Sequence, residues 1–158
     1  MIDIKTLIVV HVVISLIGIG SGLLVAYGWA GKRNFESLTL LFLVTTLATS
    51  LTGFLFPIER LTPALIFGIL SMIALPLAIY ARYVRNEVGR WRKIFIISSL
   101  FALYLNVFAG VVQLFLKVPF FRELAPTQSE PPFAVAQLLV LATFIFLGVK
   151  AIKRPSLT

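Results

Sequence analysis

The sequence contains no cysteine and a single histidine, His11. Disulfides, iron–sulfur clusters and thiol chemistry are therefore excluded within the chain, and one copy of it cannot assemble a bis-histidine haem. Charge is scarce too. Asp, Glu, Lys and Arg make up 13% of the residues, and five apolar runs, about 7–30, 38–56, 63–81, 94–116 and 132–149, hold none of the four. Ion- and proton-coupled transporters keep ionisable groups inside their bundles, so this gap argues against secondary active transport. An odd number of runs with no visible internal repeat points the same way. Enzymes meet a similar objection. There is no nucleophile–base pair, no pair of carboxylates and no metal-ligand spacing, which leaves no catalytic residue to name.

What is present is apolar. The 158 residues are 59% hydrophobic, with a mean hydropathy of +1.03, outside the range of soluble globular domains. Each run is close to or beyond the roughly 20 residues needed to cross about 30 Å of hydrocarbon as a helix. The expected fold is an all-α integral membrane bundle of five transmembrane helices forming one domain, 1–158. A cleaved signal peptide is the competing reading of the first run. The segment ahead of it holds Asp3 and Lys5, and the positive flank Lys32-Arg33 follows it, an order that suits an uncleaved span.

The basic residues set the expected topology. Lys32 and Arg33, the five between Arg82 and Lys93, and Lys150, Lys153 and Arg154 fall at one end. Only Lys5, Arg60, Lys117 and Arg122 fall at the other. The positive-inside rule then places the N-terminus outside and the C-terminus in the cytoplasm. The net charge of +8 accordingly speaks of topology and contact with anionic membrane lipids, not of nucleic acid. Arg82–Lys93, edged by Tyr80, Tyr83 and Trp91, reads as a cytoplasmic loop with an interfacial aromatic belt, and it offers no groove-reading element.

Polar residues inside the runs share faces. His11, Ser15, Gly18 and Gly22 recur at helical spacing along the first run, and Gly18-x-x-x-Gly22 allows close helix approach. Thr45, Thr49 and Thr52 line one face of a hydroxyl-rich second run, where bonding back to the preceding turn or across to a neighbouring helix is the ordinary role. Thr62-Pro63 supplies a cap and a first-turn proline for the third helix. There Ala64, Gly68 and Ser71 form a small-residue packing face, and Pro76 is expected to kink the helix. Ser99, Asn106 and Gln113, seven apart, make a polar seam on the fourth. Buried amides need partners in hydrocarbon, so that seam is expected to face the bundle.

At about 1.5 Å per residue, His11, Thr52, Gln113 and Gln137 all lie roughly 6–8 Å below the outer boundary. Ser15 and Thr49 lie deeper, and Gly18 and Asn106 deeper still. The expectation is an outward-facing polar pocket built by His11, Ser15, Thr49, Thr52, Asn106, Gln113 and Gln137. The proline-stiffened loop Lys117–Pro132 would close over it as a lid, with Glu130 at the entry of the last helix. His11 has several readings: a packing hydrogen bond, a haem ligand, a metal ligand with Glu130, or a partner for a quinone or lipid carbonyl.

The segments Leu103-Tyr-Leu-Asn-Val-Phe, Val112-Gln-Leu-Phe-Leu-Lys-Val-Pro and Leu124-Ala-Pro-Thr-Gln-Ser-Glu-Pro-Pro-Phe-Ala-Val-Ala-Gln137 resemble runs in small, uncharacterised bacterial multi-pass membrane proteins. The resemblance covers about a third of the chain. It implies a bacterial cytoplasmic (inner) membrane protein and brings no activity or cofactor. His11 early in a Gly-rich first span is also similar to membrane b-type cytochromes, which implies haem b, although the further histidines of such families are absent. The expected function is non-catalytic: binding of a lipid-like or quinone-like molecule, or service as an accessory subunit of a homo-oligomer or larger membrane complex. A haem-binding redox protein using His11 and a channel or carrier are the alternatives.

Overall fold

A computed structural model describes residues 3–31, 33–57 and 61–154. Among them there are helices and no strands: α1 (Ile4–Gly31), α2 (Glu36–Gly53), α3 (Pro63–Ile79), α4 (Arg90–Lys117), the short α5 (Pro119–Leu124) and α6 (Pro131–Lys153). Five of these are long and apolar enough to cross a membrane, the architecture of an integral membrane protein. Lys32 and Arg60, which enter the charge argument, lie outside the described residues.

The helices pack in the cyclic order α1, α2, α3, α4, α6, with α6 closing against α1 and α4 reaching across to α1 as well. Leu16, Leu138, Leu139 and Phe146 stand exposed on the outer surface, the pattern expected where the surroundings are as apolar as the interior. The tightest contact joins α1 to α2. A Cβ added at Gly22 would lie 2.6 Å from Leu103 Cδ1 and 2.8 Å from Phe42 Cδ2, and one at Gly28 would lie 2.7 Å from Phe35 Cδ2. Gly68 of α3 sits more loosely, 3.3 Å by the same measure from Phe54 Cζ.

The apolar core is one-sided. Phe42, Leu43, Leu75, Phe95, Ile96 and Leu103 are buried together with Ala26, Ala78, Ala102 and Phe144, and all belong to the middle or to the half nearer the Arg/Lys-rich end.

The observed boundaries depart from the apolar runs in instructive ways. α4 begins at Arg90, so Arg90, Trp91, Arg92 and Lys93 form its first turn and the connection from α3 is shorter than Arg82–Lys93. Charged residues can continue a helix beyond the hydrocarbon because their heads reach water while their stems stay on the apolar surface. The helix also runs on past Pro76, whose φ suits a helix although its ring removes a donor. The irregularity falls four residues later, in a π-turn at Tyr80–Val84 where the Arg85 N–H donates to Tyr80 O at 3.0 Å. Asn86, Glu87 and Gly89 then reverse the chain with positive φ. Arg82 pairs with Glu87 and lies 5.2 Å from the centre of the Phe95 ring, while Arg85 lies 5.0 Å from that of Trp91. At the other end of α3, the Thr62 hydroxyl accepts from the Leu65 N–H at 3.2 Å, the expected cap, with Pro63 in the first turn.

Gly22→Val should lower stability by about 1–3 kcal/mol, the usual cost of overpacking a filled interior, measured as a fall in unfolding midpoint in detergent. Gly89 has φ 59 and ψ −123, a region closed to residues with a Cβ. Gly89→Ala should therefore cost about 1–3 kcal/mol by the same assay, whereas alanine at exposed Gly20, where an added Cβ meets nothing within 4 Å, should not destabilise.

Candidate functional site: a polar layer between α1, α2 and α4

Hydroxyl groups in an apolar span must find acceptors, and the nearest is the carbonyl one turn back. On α2 this is the rule. Thr39 donates to Phe35 O, Thr45 to Leu41 O, Thr49 to Thr45 O, Ser50 to Thr46 O and Thr52 to Ala48 O, at 2.7–3.1 Å. Each of these side chains thereby hides its proton along its own helix, and Thr49 and Thr52 present an oxygen lone pair to Ser15 and His11 of α1.

His11 uses one of those lone pairs. Its Nδ1 lies 2.9 Å from Thr52 Oγ1. The single Thr52 proton is directed at Ala48 O, so the threonine accepts and His11 Nδ1 donates, an assignment made by the hydrogen-bond network. The neutral ring then carries its free lone pair on Nε2. The ring also meets Phe56 edge-on, with centroids 5.3 Å apart. One turn deeper, Ser15 donates to His11 O at 2.8 Å, and its hydroxyl lies 3.4 Å from Thr49 Oγ1. A further turn in, Gly18 faces α2 and α4 together. A Cβ there would lie 3.0 Å from Thr46 Oγ1, 3.2 Å from Thr45 Oγ1 and 3.5 Å from Asn106 Nδ2. The expected order of depth, from His11–Thr52 through Ser15–Thr49 to Gly18–Asn106, is the observed one.

At the bottom of this ladder the rule fails. Thr46 is 1% exposed, yet its hydroxyl has no hydrogen-bond partner, and neither does the buried Asn106 Nδ2. Both can donate, and both converge on the backbone of Gly18. An unpaired buried donor costs about 1–3 kcal/mol, so an acceptor atom placed between the two would be held firmly.

Three expected members stand elsewhere. Gln113 is exposed on α4. The spacing of seven explains it: a straight helix drifts by about 20° per heptad, so the seam is fully buried at Ser99, half-buried at Asn106 and turned outward by Gln113. Gln137 is buried at the α4–α6 contact, where its Nε2 donates to Phe108 O at 3.3 Å and its Oε1 has no partner. Glu130 is held by its own loop, accepting from the Thr127 hydroxyl at 2.8 Å, from the Thr127 N–H at 3.2 Å and from the Ser129 N–H at 3.1 Å.

The loop itself is anchored to α4. Gln128, at φ 61, donates to Val112 O at 3.2 Å, and Phe121 and Phe133 both pack on Phe115. Sequence reasoning missed the short helix α5, the Gln128 anchor and the role of Thr46. The antiparallel pairing of the α1 glycine face with α2 was the signal that could have found Thr46. Among the described residues no three His, Cys, Asp or Glu side chains are grouped to hold a metal ion, and Glu130 and His11 do not meet.

Comparison with protein-family models, with curated proteins and with solved structures finds no match to the chain. The class is therefore set by the fold alone, a helical bundle with five membrane-length helices. Within it the distinguishing feature is the α1–α2–α4 polar layer.

Desolvation raises the Glu130 carboxyl, but the hydrogen bonds from the Thr127 hydroxyl and from the backbone of Glu130, Thr127 and Ser129 together outweigh it and hold it below the usual glutamate value. A lowered folded-state value means that the capped turn is stabilised above the ordinary glutamate range and loses that stability as pH falls through the folded value. The protection factors of the Thr127 and Ser129 amides, taken against the intrinsic exchange rate at each pH, should thus hold from pH 7 to about 5 and fall once the pH drops below about 4.3. Glu130→Gln should show low protection throughout.

Proposed function

We propose that this chain is a non-catalytic integral membrane protein that binds a lipid-like or quinone-like molecule, holding its polar head in the layer between α1, α2 and α4. In this reading the layer opens at the His11 end, the N-terminus is outside, and the C-terminus is in the cytoplasm of a bacterial cell. The observation that carries it is the convergence of two buried, unpaired donors, Thr46 Oγ1 and Asn106 Nδ2, on Gly18. Donors of that kind fit a carbonyl or ester oxygen. His11 Nε2, nearer the mouth, supplies an acceptor for a hydroxyl. An apolar tail lying along the exposed leucines and valines would stay in hydrocarbon.

A second reading, an accessory subunit or homo-oligomer, is favoured by Gln113. An exposed amide on a membrane-length helix gains by meeting a polar group on another chain.

The test is purification in a mild detergent followed by extraction and mass spectrometry. About one molecule bearing a carbonyl or ester head should copurify per chain, and Thr46→Val and Asn106→Leu should each lower its occupancy about tenfold, the value of one well-placed hydrogen bond. Because each substitution removes an unpaired polar group, the ligand-free variants should melt at or above the ligand-free wild type. Undiminished occupancy in both variants, or a chain that carries no such molecule, sinks the proposal. Gln113→Leu should matter only if oligomeric state changes with it.

A further inference from the structure

We infer that the Arg/Lys-rich end carries a separate binding site for the headgroup of an anionic phospholipid, in the cleft between α1 and α6. This site is independent of the layer beneath His11 and lies at the opposite end of the same helices. A cavity of about 180 Å³ is lined by Tyr27, Ala30 and Gly31 from α1, and by Phe146, Lys150 and Arg154 from α6 and its C-terminal cap. Two cations, one phenol and an apolar floor thus meet in one concavity.

The cations are available. Among the described residues the only ion pair is Arg82–Glu87, so neither Lys150 nor Arg154 has a carboxylate partner among them. Lys150 Nζ sits 5.5 Å from the centre of the Phe146 ring, which orients the ammonium without neutralising it. Space is available too, since a Cβ added at Gly31 meets nothing within 4 Å. Below the cavity Leu24, Tyr27, Ile145 and Phe146 are exposed, a surface suited to acyl chains. Basic pockets between membrane helices with this combination of charge and apolar wall suit anionic headgroups.

Lys150 and Arg154 have a simpler role available. α1 and α6 both end here, and cations near helix C-termini offset the partial charge of the free carbonyls. That role needs no cavity, so filling the cavity without touching a charge separates the two.

The full chain is placed in neutral detergent and titrated with phosphatidylglycerol, phosphatidylcholine or inorganic phosphate, with bound species counted by native mass spectrometry. Phosphatidylglycerol should bind in preference to phosphatidylcholine, and inorganic phosphate should not displace it. At about a factor of five per cation, Lys150→Gln with Arg154→Gln should weaken phosphatidylglycerol about 30-fold. Gly31→Leu should weaken it while leaving the charge intact, and Lys153→Gln, outside the cavity lining, should change little. Circular dichroism checks that each variant is folded. Equal retention of both lipids, displacement by inorganic phosphate, an unaffected Gly31→Leu, or a loss in Lys153→Gln as large as in the double variant would each overturn the assignment.

Discussion

The contact of α1 with α2 depends on glycines of α1 that make room for the rings of Phe42 on α2 and of Phe35 at its N-terminal flank. Gly22 and Gly28 lie where any side chain would strike Phe42, Leu103 or Phe35, and in hydrocarbon such close approach supplies the dispersion contact that water would otherwise drive by exclusion. Close approach brings polar atoms near one another, so α2 has to carry hydroxyls without leaving protons unpaired. Bonding back along its own helix achieves this. The polar face of α2 is thus a row of acceptors, and the one strong donor opposite it, His11 Nδ1, takes Thr52. The tautomer of the only histidine follows from how a threonine four residues beyond Ala48 disposes of its proton.

The same logic makes the two halves of the bundle different materials. Toward the basic end the interior is filled by Phe42, Leu75, Phe95 and Ile96 with alanines between them, and the connection beyond it is closed by Arg82, Glu87 and rings at Phe95 and Trp91. Toward the His11 end the α1–α2 contact is a ladder of small polar groups, while Phe115 is buried against Phe121 and Phe133. A filled half of this kind fixes the helices relative to one another at the basic end.

Much of this was legible in the chain, because the signals were of the kind that survive in a membrane. Uninterrupted apolar runs located the five long helices, the spacing of His11, Ser15, Gly18 and Gly22 located the α1 face, and Thr62-Pro63 located a cap that the structure contains. Depth reckoned from helix ends put His11 and Thr52 in one layer with Gln113 and Gln137, and Ser15 and Thr49 in the next; the structure sets His11 against Thr52 and Ser15 against Thr49, since antiparallel neighbours share one ruler. What failed was azimuth. A spacing of seven kept Ser99 and Asn106 near one another but carried Gln113 outward, and depth alone could not say that Gln137 faces Phe108 on another side of α4. Hydropathy also could not see a helix continuing through Arg90–Lys93, or the short α5, because hydrogen bonding along the backbone is indifferent to where the hydrocarbon stops. Glu130 was legible as a residue at a helix entry and illegible as a carboxylate already satisfied by Thr127 and Ser129.

Thr46 and Asn106 bear most weight because they depart from a rule kept around them. Five other hydroxyls on α2 bond to the preceding turn, so the helix offers Thr46 the same outlet. A lone orphan is a packing accident of small cost. Two donors from different helices, converging on one glycine, share a chemical preference: each gains from an oxygen acceptor. A soluble solute with such an oxygen would have to abandon its remaining hydration to reach the middle of the bundle. An amphiphile abandons very little, since its tail is already in hydrocarbon and only its head must be matched. On the proposed reading, the donors and the medium around them favour the same kind of molecule.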